Sequence, residues 1–290
     1  MDLSVELGGL GLNNPVIAAS GTFGYGLEYS SLVDLNALGG FSTKGLSLKP
    51  KTGNPVPRVI ETSSGMLNAI GLENIGLEAF LSEKLPQLKN FNTRIIVNFF
   101  GDTTQEYVEM ARALSDVERL DALEMNVSCP NVEKGGLQFS SDAGVLTEVV
   151  SAVRKATGKF LIVKLSPNVT DITVLAKAAE NAGADALSVC NPFVGMSIDL
   201  KTRKPHLANR TALNLVYQTA RAVQIPVIGI GGISSGEDAV EFLLAGAKAV
   251  QIGTANFIDP ASTLHVIEGI RQYCLANGVN NLSELKMREE

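Results

Sequence analysis

Asn126-Val127-Ser128-Cys129-Pro130-Asn131 is the stretch of this sequence whose residue types best suit chemistry. The run Ala122-Leu123-Glu124-Met125 delivers it, which reads as a buried strand leading into a loop. Pro130 fixes its own φ and pushes Cys129 toward an extended backbone, so the thiol sits on a stiff turn. Gly135-Gly136 just beyond lets the rest of the loop move. A lone cysteine is more often a small buried apolar residue than a reactive one. Here two asparagines bracket it, and their amides offer both donors and acceptors to a polar, planar, imide-like ligand.

The same kind of residue recurs at the ends of other apolar runs. Ser20 follows one, Lys44 ends a second and Asn98 a third. Asn126 ends a fourth, Lys164 a fifth, and Asn191 follows a sixth. One polar strand end is unremarkable. Two lysines closing otherwise apolar strands are not, because a buried ammonium needs an anionic partner. The ring reads as a site for something large, polar and partly anionic. Gly231-Gly232 and Gly253-Thr254 follow the last two runs. Glycines in both loops suit backbone N–H groups facing a phosphate, although tight turns alone would also use them. One phosphate below a polar ring fits flavin mononucleotide better than a dinucleotide. No G-x-G-x-x-G follows the first run, so a Rossmann site is excluded.

These positions need a scaffold that brings many strand ends together. The predicted strands are 15–19, 39–44, 94–98, 122–126, 160–164, 186–189, 226–230 and 249–253. Helices are predicted over 105–114, 144–157, 171–182, 213–223 and 236–245, with Thr170 and Ser235 as N-caps. Ala182-Gly183 and Ala245-Gly246 read as helix ends. Eight such units predict an α/β fold, a parallel (β/α)8 TIM barrel, with residues 1–290 as a single FMN-binding domain. A doubly wound open sheet fits the strand count less well. The 290 residues, 45% hydrophobic, supply a full core, and a net charge of -6 argues against nucleic acid. Two histidines and three scattered cysteines exclude a zinc or iron–sulfur site held by this chain alone. The unpaired cysteines suggest a reducing compartment, hence cytoplasm, and neither a signal peptide nor a membrane span is expected.

Taken together, Ala19-Ser20-Gly21, Lys44, the run 65–72 (GMLNAIGL), Asn126 to Asn131, Val163 to Asn168, Gly231-Gly232 and Gly253 to Phe257 resemble class 1B, NAD-linked dihydroorotate dehydrogenase catalytic subunits. Asp199 to Pro205 resembles the class 1B version in particular. The resemblance implies oxidation of dihydroorotate to orotate in pyrimidine biosynthesis, with FMN as immediate acceptor. It implies Cys129 as the base at C5, assisted by Lys44. It places Ser20, Lys44, Gly45, Asn98, Asn126, Lys164, Cys190, Gly231, Gly232, Gly253 and Thr254 around FMN. Around substrate it places Lys44, Asn68, Ala69, Ile70, Gly71, Leu72, Asn126, Asn131, Asn191 and Pro192. No metal is implied. Electrons would pass to NAD through a second subunit carrying FAD and a [2Fe–2S] cluster, docked to a homodimer of this chain.

Two departures stand out. Asn191 is followed by Pro192 where the family commonly has threonine, which removes a hydroxyl and an N–H from the substrate side. After Asn209-Arg210-Thr211 the family carries Gly-Gly-x-Ser-Gly, part of its phosphate cradle, whereas this sequence runs directly to Ala212-Leu213. Either the chain is shortened there or the loop is missing from the sequence as given. A shortened chain predicts an unbroken backbone from Thr211 to Ala212, with phosphate held by Gly232, Gly253, Thr254 and the N-terminus of the helix after Ser234. Two other readings remain. One is a Schiff-base lyase using Lys164 or Lys44. The other is a cofactor-poor barrel subunit.

Overall fold

The structure is a computed structural model, which describes residues 1–62, 65–128, 130–131, 137–140, 142–193 and 212–285. Eight parallel strands close into a barrel in chain order: Val16–Ala18, Gly40–Ser42, Arg94–Phe99, Ala122–Asn126, Phe160–Lys164, Ala186–Val189, Val227–Ile230 and Ala249–Ile252. The eighth pairs back onto the first through Val250↔Val16 and Ile252↔Ala18. The predicted fold class is therefore observed, and each strand lies within two residues of its predicted bounds. The strands are short and buried on both faces, as a parallel sheet covered by helices requires.

The barrel interior has an apolar floor. Ile96 faces Ala122, Ile162 faces Ala186 and Ile228 faces Ala249 across neighbouring strands. Large beside small at each step fills the taper without strain. Leu7, Leu10 and Leu12 close the bottom, carried on the hairpin Val5–Leu7 and Leu10–Leu12. The sequence reading did not anticipate this hairpin, nor the helical stretch 76–88, nor the helix Ser262–Ala276.

Outside the barrel the helices Thr104–Ser115, Ala143–Ala156, Ile172–Asn181 and Gly236–Leu244 are each started by a side-chain cap. The caps are Thr103, Asp142, Asp171 and Ser235. The cap expected at Thr170 is one residue later: the Asp171 carboxylate accepts from Thr173 N at 2.9 Å, a charge-assisted bond that threonine could not match. Gly183 (φ +99°) and Gly246 (φ +108°) take the left-handed turn that ends two helices. Gly236 and Gly269 touch. A Cβ on Gly236 would lie 2.5 Å from the Gly269 Cα, so helices 236–244 and 262–276 meet backbone to backbone. No helix among the described residues is long and apolar enough to cross a membrane.

Gly269→Val is therefore expected to force these two helices apart and to destabilise the fold by about 1–3 kcal/mol. Urea unfolding measures this; a midpoint equal to that of the parent would show the glycine contact to be unimportant.

Candidate active site

Above the apolar floor the barrel interior turns polar, and its centre is Glu124 on the fourth strand. This carboxylate is completely buried. Its Oε2 accepts from Ser42 Oγ at 2.7 Å and from Asn98 Nδ2 at 2.7 Å. Its Oε1 accepts from Ser188 Oγ at 2.6 Å and from Gln251 Nε2 at 2.7 Å. Lys164 Nζ stands 3.7 Å from Oε2. Burial pushes the carboxyl up. The Lys164 charge and the donors on Ser188, Ser42 and Asn98 outweigh it and hold Glu124 below the usual carboxylate range, so it is ionised at neutral pH.

This changes the expectation for Lys164. Its anionic partner is the protein's own carboxylate rather than a ligand. At 3.7 Å the contact is an ion pair beyond hydrogen-bond length. The ammonium N–H groups make no hydrogen bond to the described residues, and the side chain is buried. Asn98 is oriented in the same way, its NH2 given to Glu124. Its amide oxygen accepts nothing among the described residues and would lie 3.0 Å from a Cβ placed on Gly45.

Lys44 follows the second strand, and its N–H donates to Gly24 O at 2.7 Å. It too has a protein partner: Nζ is 3.4 Å from Glu73 Oε2, and Arg58 pairs with the same oxygen. The Lys44 charge, more than that of Arg58, holds the exposed Glu73 carboxyl below its ordinary range. Glu73 belongs to a loop that crosses the barrel mouth beside the hairpin Val59–Thr62 and Gly65–Asn68. Asn68 ends that hairpin, exposed, and Ala69, Ile70, Gly71 and Leu72 follow it. Asn54 binds the Ile70 and Ala69 carbonyls, through its N–H at 2.9 Å and its Nδ2 at 2.9 Å. Gly71 (φ +74°) is required here, since a Cβ would lie 2.7 Å from Asn54 N. The base of the loop is pinned by Asn74, which donates to Ser47 Oγ at 2.9 Å and accepts from Gly76 N at 2.9 Å.

Asn126 and Asn191 meet at the mouth. Asn191 Nδ2 donates to Asn126 Oδ1 at 2.9 Å and to Ser128 Oγ at 2.7 Å. Tyr107 Oη donates to Asn126 O at 2.6 Å, which fixes the end of the fourth strand. Pro192 follows, exposed. Asn131 lies in a short antiparallel pairing, opposite Leu137. Cys129 lies outside the described residues, as do Asp199 to Pro205 and the Thr211 side of the junction with Ala212. Cys190 is buried, and burial, opposed only in part by Lys164, pushes its thiol up to about 12. Cys274 is raised by burial too.

Ser20 and the glycine loops sit on the opposite side of the mouth. Gly231 (φ +119°) and Gly232 (φ +79°) are exposed after the seventh strand. A Cβ on Gly232 or on Gly21 would meet nothing within 4 Å, so open space lies over both. The N–H groups of Gly232, Gly253 and Thr254 make no backbone hydrogen bond among the described residues. The helix after Ser234 begins with a capping box. Asp238 Oδ2 accepts from Ser234 N at 2.9 Å and from Ser235 N at 2.9 Å, and Ser235 Oγ accepts from Asp238 N at 3.1 Å. This capping box leaves the Gly236 and Glu237 N–H groups of the first turn without a backbone hydrogen bond among the described residues.

The sequence reading missed the Glu124 cluster, with Ser42, Ser188 and Gln251. The available signal was an acidic residue inside an otherwise apolar strand. It also missed Glu73. No cluster of residues able to hold a metal occurs among the described residues.

The sequence profile of dihydroorotate dehydrogenases matches residues 2–274. The chain belongs to the dihydroorotate dehydrogenase family. Similar curated proteins are the "Dihydroorotate dehydrogenase B (NAD(+)), catalytic subunit" of Pelobacter propionicus and that of Geobacter metallireducens. They are 55% and 54% identical to this chain, over 98% of it and 97% of theirs. A crystal structure of DHODH from Eimeria tenella in complex with ferulenol superposes with a TM-score of 0.79 at 21% identity. It covers 98% of this chain and 87% of that one, and shares the fold. As a dihydroorotate dehydrogenase the chain is an oxidoreductase, which removes the Schiff-base lyase alternative. The alignment with the Pelobacter protein runs to 295 positions yet uses 98% of a 290-residue chain, so about ten of that relative's residues have no counterpart here.

A thiol titrating at about 12 is thiolate in on the order of 1 part in 10⁴ at pH 8. Iodoacetamide at pH 8 should therefore leave Cys190 unmodified in the native protein and label it once denaturant is added. Peptide mass spectrometry reads this directly, and native labelling of Cys190 would contradict the buried placement.

Proposed function

We propose that this chain oxidises dihydroorotate to orotate as a single FMN-binding barrel domain. The observation that best supports this is the polar crown on the closed barrel. Lys164 and Asn98, both buried, keep an ammonium and an amide oxygen that make no hydrogen bond among the described residues. Across the mouth, open space lies over Gly21 and Gly232, and the N–H groups of Gly232, Gly253 and Thr254 make no backbone hydrogen bond among the described residues. These residues suit a planar, hydrogen-bonding ring at one end and a phosphate at the other, which fits FMN. Lys164, Asn98, Ser20, Lys44, Gly45, Asn126 and Cys190 would hold the ring and ribityl chain. Bound FMN would accept the hydride from C6 of the substrate.

The chain's own residues do the rest. Cys129 takes the C5 proton, which is α to a carbonyl and needs a positioned base. The family resemblance assigns that role to Cys129, and the burial of Cys190, whose thiol is pushed up to about 12, keeps Cys190 out of it. Lys44 faces the substrate carboxylate and, when substrate enters, shares its charge between that carboxylate and Glu73. Asn68, Asn126, Asn131 and Asn191 bind the ring edges, with the backbone of Ile70, Gly71 and Leu72 and the flank of Pro192. The Asn191–Asn126 bond fixes which amide group each presents.

The partners proposed are a second copy of this chain and an electron-transfer subunit bearing FAD and a [2Fe–2S] cluster, in the cytoplasm. The relatives' printed name, a catalytic subunit linked to NAD(+), supports that reading. The Cys129→Ser variant should keep FMN yet lose about 10²–10⁴ of the anaerobic flavin-bleaching rate with dihydroorotate at pH 7, and recover part of it in alkali. A wild-type rate at pH 7 would remove Cys129 from the base role.

We assign the missing positions to the glycine-rich stretch after Thr211. Each charge-assisted hydrogen bond lost from a phosphate oxygen is worth roughly 1.5–3 kcal/mol. One or two such losses weaken FMN binding by about one to a few orders of magnitude. Dialysis should strip FMN from this chain more readily than from a variant with Gly-Gly-x-Ser-Gly inserted after Thr211. Equal retention in the two would refute the assignment, and a wild type that never takes up FMN would favour the cofactor-poor reading.

A further inference from the structure

The buried carboxylate of Glu124 has no part in the chemistry described so far. It does not reach the open mouth, so a role in binding substrate directly is excluded. Yet its four hydrogen bonds and its ion pair converge from five other strands, and two of its partners, Asn98 and Lys164, lie at barrel strand ends and are proposed to hold the flavin.

The remaining donors show what the cluster is arranged for. Gln251 turns its NH2 to Glu124 although this leaves its own buried Oε1 without any partner. Turning the amide over would satisfy nothing, since its oxygen would then oppose a carboxylate oxygen. Ser42 and Ser188 are fully buried hydroxyls, both spent on the same carboxylate. Each of these four donors serves one negative charge, Gln251 Nε2 also lying 3.4 Å from Ser188 Oγ, and that charge stands against one ammonium. A neutral residue of similar size would need none of this.

We infer that Glu124 is a positioning residue that orients Asn98 and Lys164 and sets the charge felt by the flavin above them. This rests on the FMN reading. The physical argument is one of sign. Reduction adds negative charge to the flavin ring. An uncompensated Lys164 ammonium beneath the ring would favour the reduced form strongly. Glu124 opposes that effect and keeps the couple low enough for electrons to move on to the next acceptor. The four neutral donors spread the carboxylate charge and moderate its effect.

Two variants are expected to move the flavin potential in opposite directions. Glu124→Gln removes the negative charge with almost no change of shape. Ser188→Ala removes one donor and leaves the charge more concentrated. With FMN supplied in excess, the flavin midpoint potential is measured anaerobically against a reference dye at pH 8, where the carboxylate is ionised. Glu124→Gln should raise the potential, shifting the ratio of reduced to oxidised flavin at a fixed poise by about tenfold, which is about 30 mV for a two-electron couple. Ser188→Ala should lower it by less. A merely structural role would reduce melting temperature or FMN retention in both and leave the potential of the bound fraction at the wild-type value, and that result would overturn the inference. Shifts of the same sign in both variants would overturn it as well. Where Glu124→Gln does not fold, Ser188→Ala decides alone: a fall supports the inference, and no change or a rise refutes it. A wild-type chain that takes up no FMN would instead sink the flavin reading, and the inference with it.

Discussion

A carboxylate sealed from water must be answered at each oxygen, and in this barrel that requirement falls on Glu124. Ser42, Asn98, Lys164, Ser188 and Gln251 answer it from the second, third, fifth, sixth and eighth strands. With the fourth strand, which carries Glu124, six of the eight strands meet at one side chain. Such a cluster exists only if the sheet is closed and in register, because a slip of one residue would turn a donor outward and leave the charge unpaired. Breaking a buried pair by removing one partner costs about 3–5 kcal/mol. The apolar floor supplies the burial and the polar layer supplies the uniqueness of the closure. Everything at the mouth is built on that layer.

The helices act on the mouth at one remove. Gly236 and Gly269 bring two helices into backbone contact, which places Ser235 and Asp238 next to the seventh-strand loop. The capping box there takes up the Ser234, Ser235 and Asp238 N–H groups. Gly232, Gly253 and Thr254, on two loops, have N–H groups that make no backbone hydrogen bond among the described residues. On the proposed FMN reading, the ring end would be held by strand residues fixed by the barrel itself. The phosphate end would rest on loops, which are more easily shortened without loss of fold.

Much of this was legible in the sequence. The barrel strands are short continuous apolar runs, because both of their faces are buried, and such runs show at once. The strand-end residues followed from the barrel. Lys164 was recognised as needing an anion, but its partner was sought in a ligand. Glu124 lies 40 positions away in the chain, inside a run whose other members are apolar. Only the parallel pairing of the fourth and fifth strands, with Lys164 beside Asn126, brings the two together. The same holds for Lys44 and Glu73, which meet through a loop whose path no local pattern encodes. The bottom hairpin was missed because strands of three residues leave too little periodicity to read. The cap at Asp171 differed by one residue because threonine and aspartate are both good caps and stand side by side.

These two kinds of support make cofactor identity and cofactor affinity separable in this chain. Identity depends on which polar atoms face the ring, and those are fixed by residues that the Glu124 cluster orients from within the barrel. Affinity depends more on the phosphate, a dianion whose desolvation must be repaid by several donors at once. The roughly ten residues that a relative has and this chain lacks are surplus to the closed barrel, since all eight strands pair without them. The constraint that shapes the ring end is electrostatic and buried, so it is insensitive to solvent and salt. The constraint at the phosphate end is exposed backbone, so it is the part of the site that ionic conditions and loop length can tune.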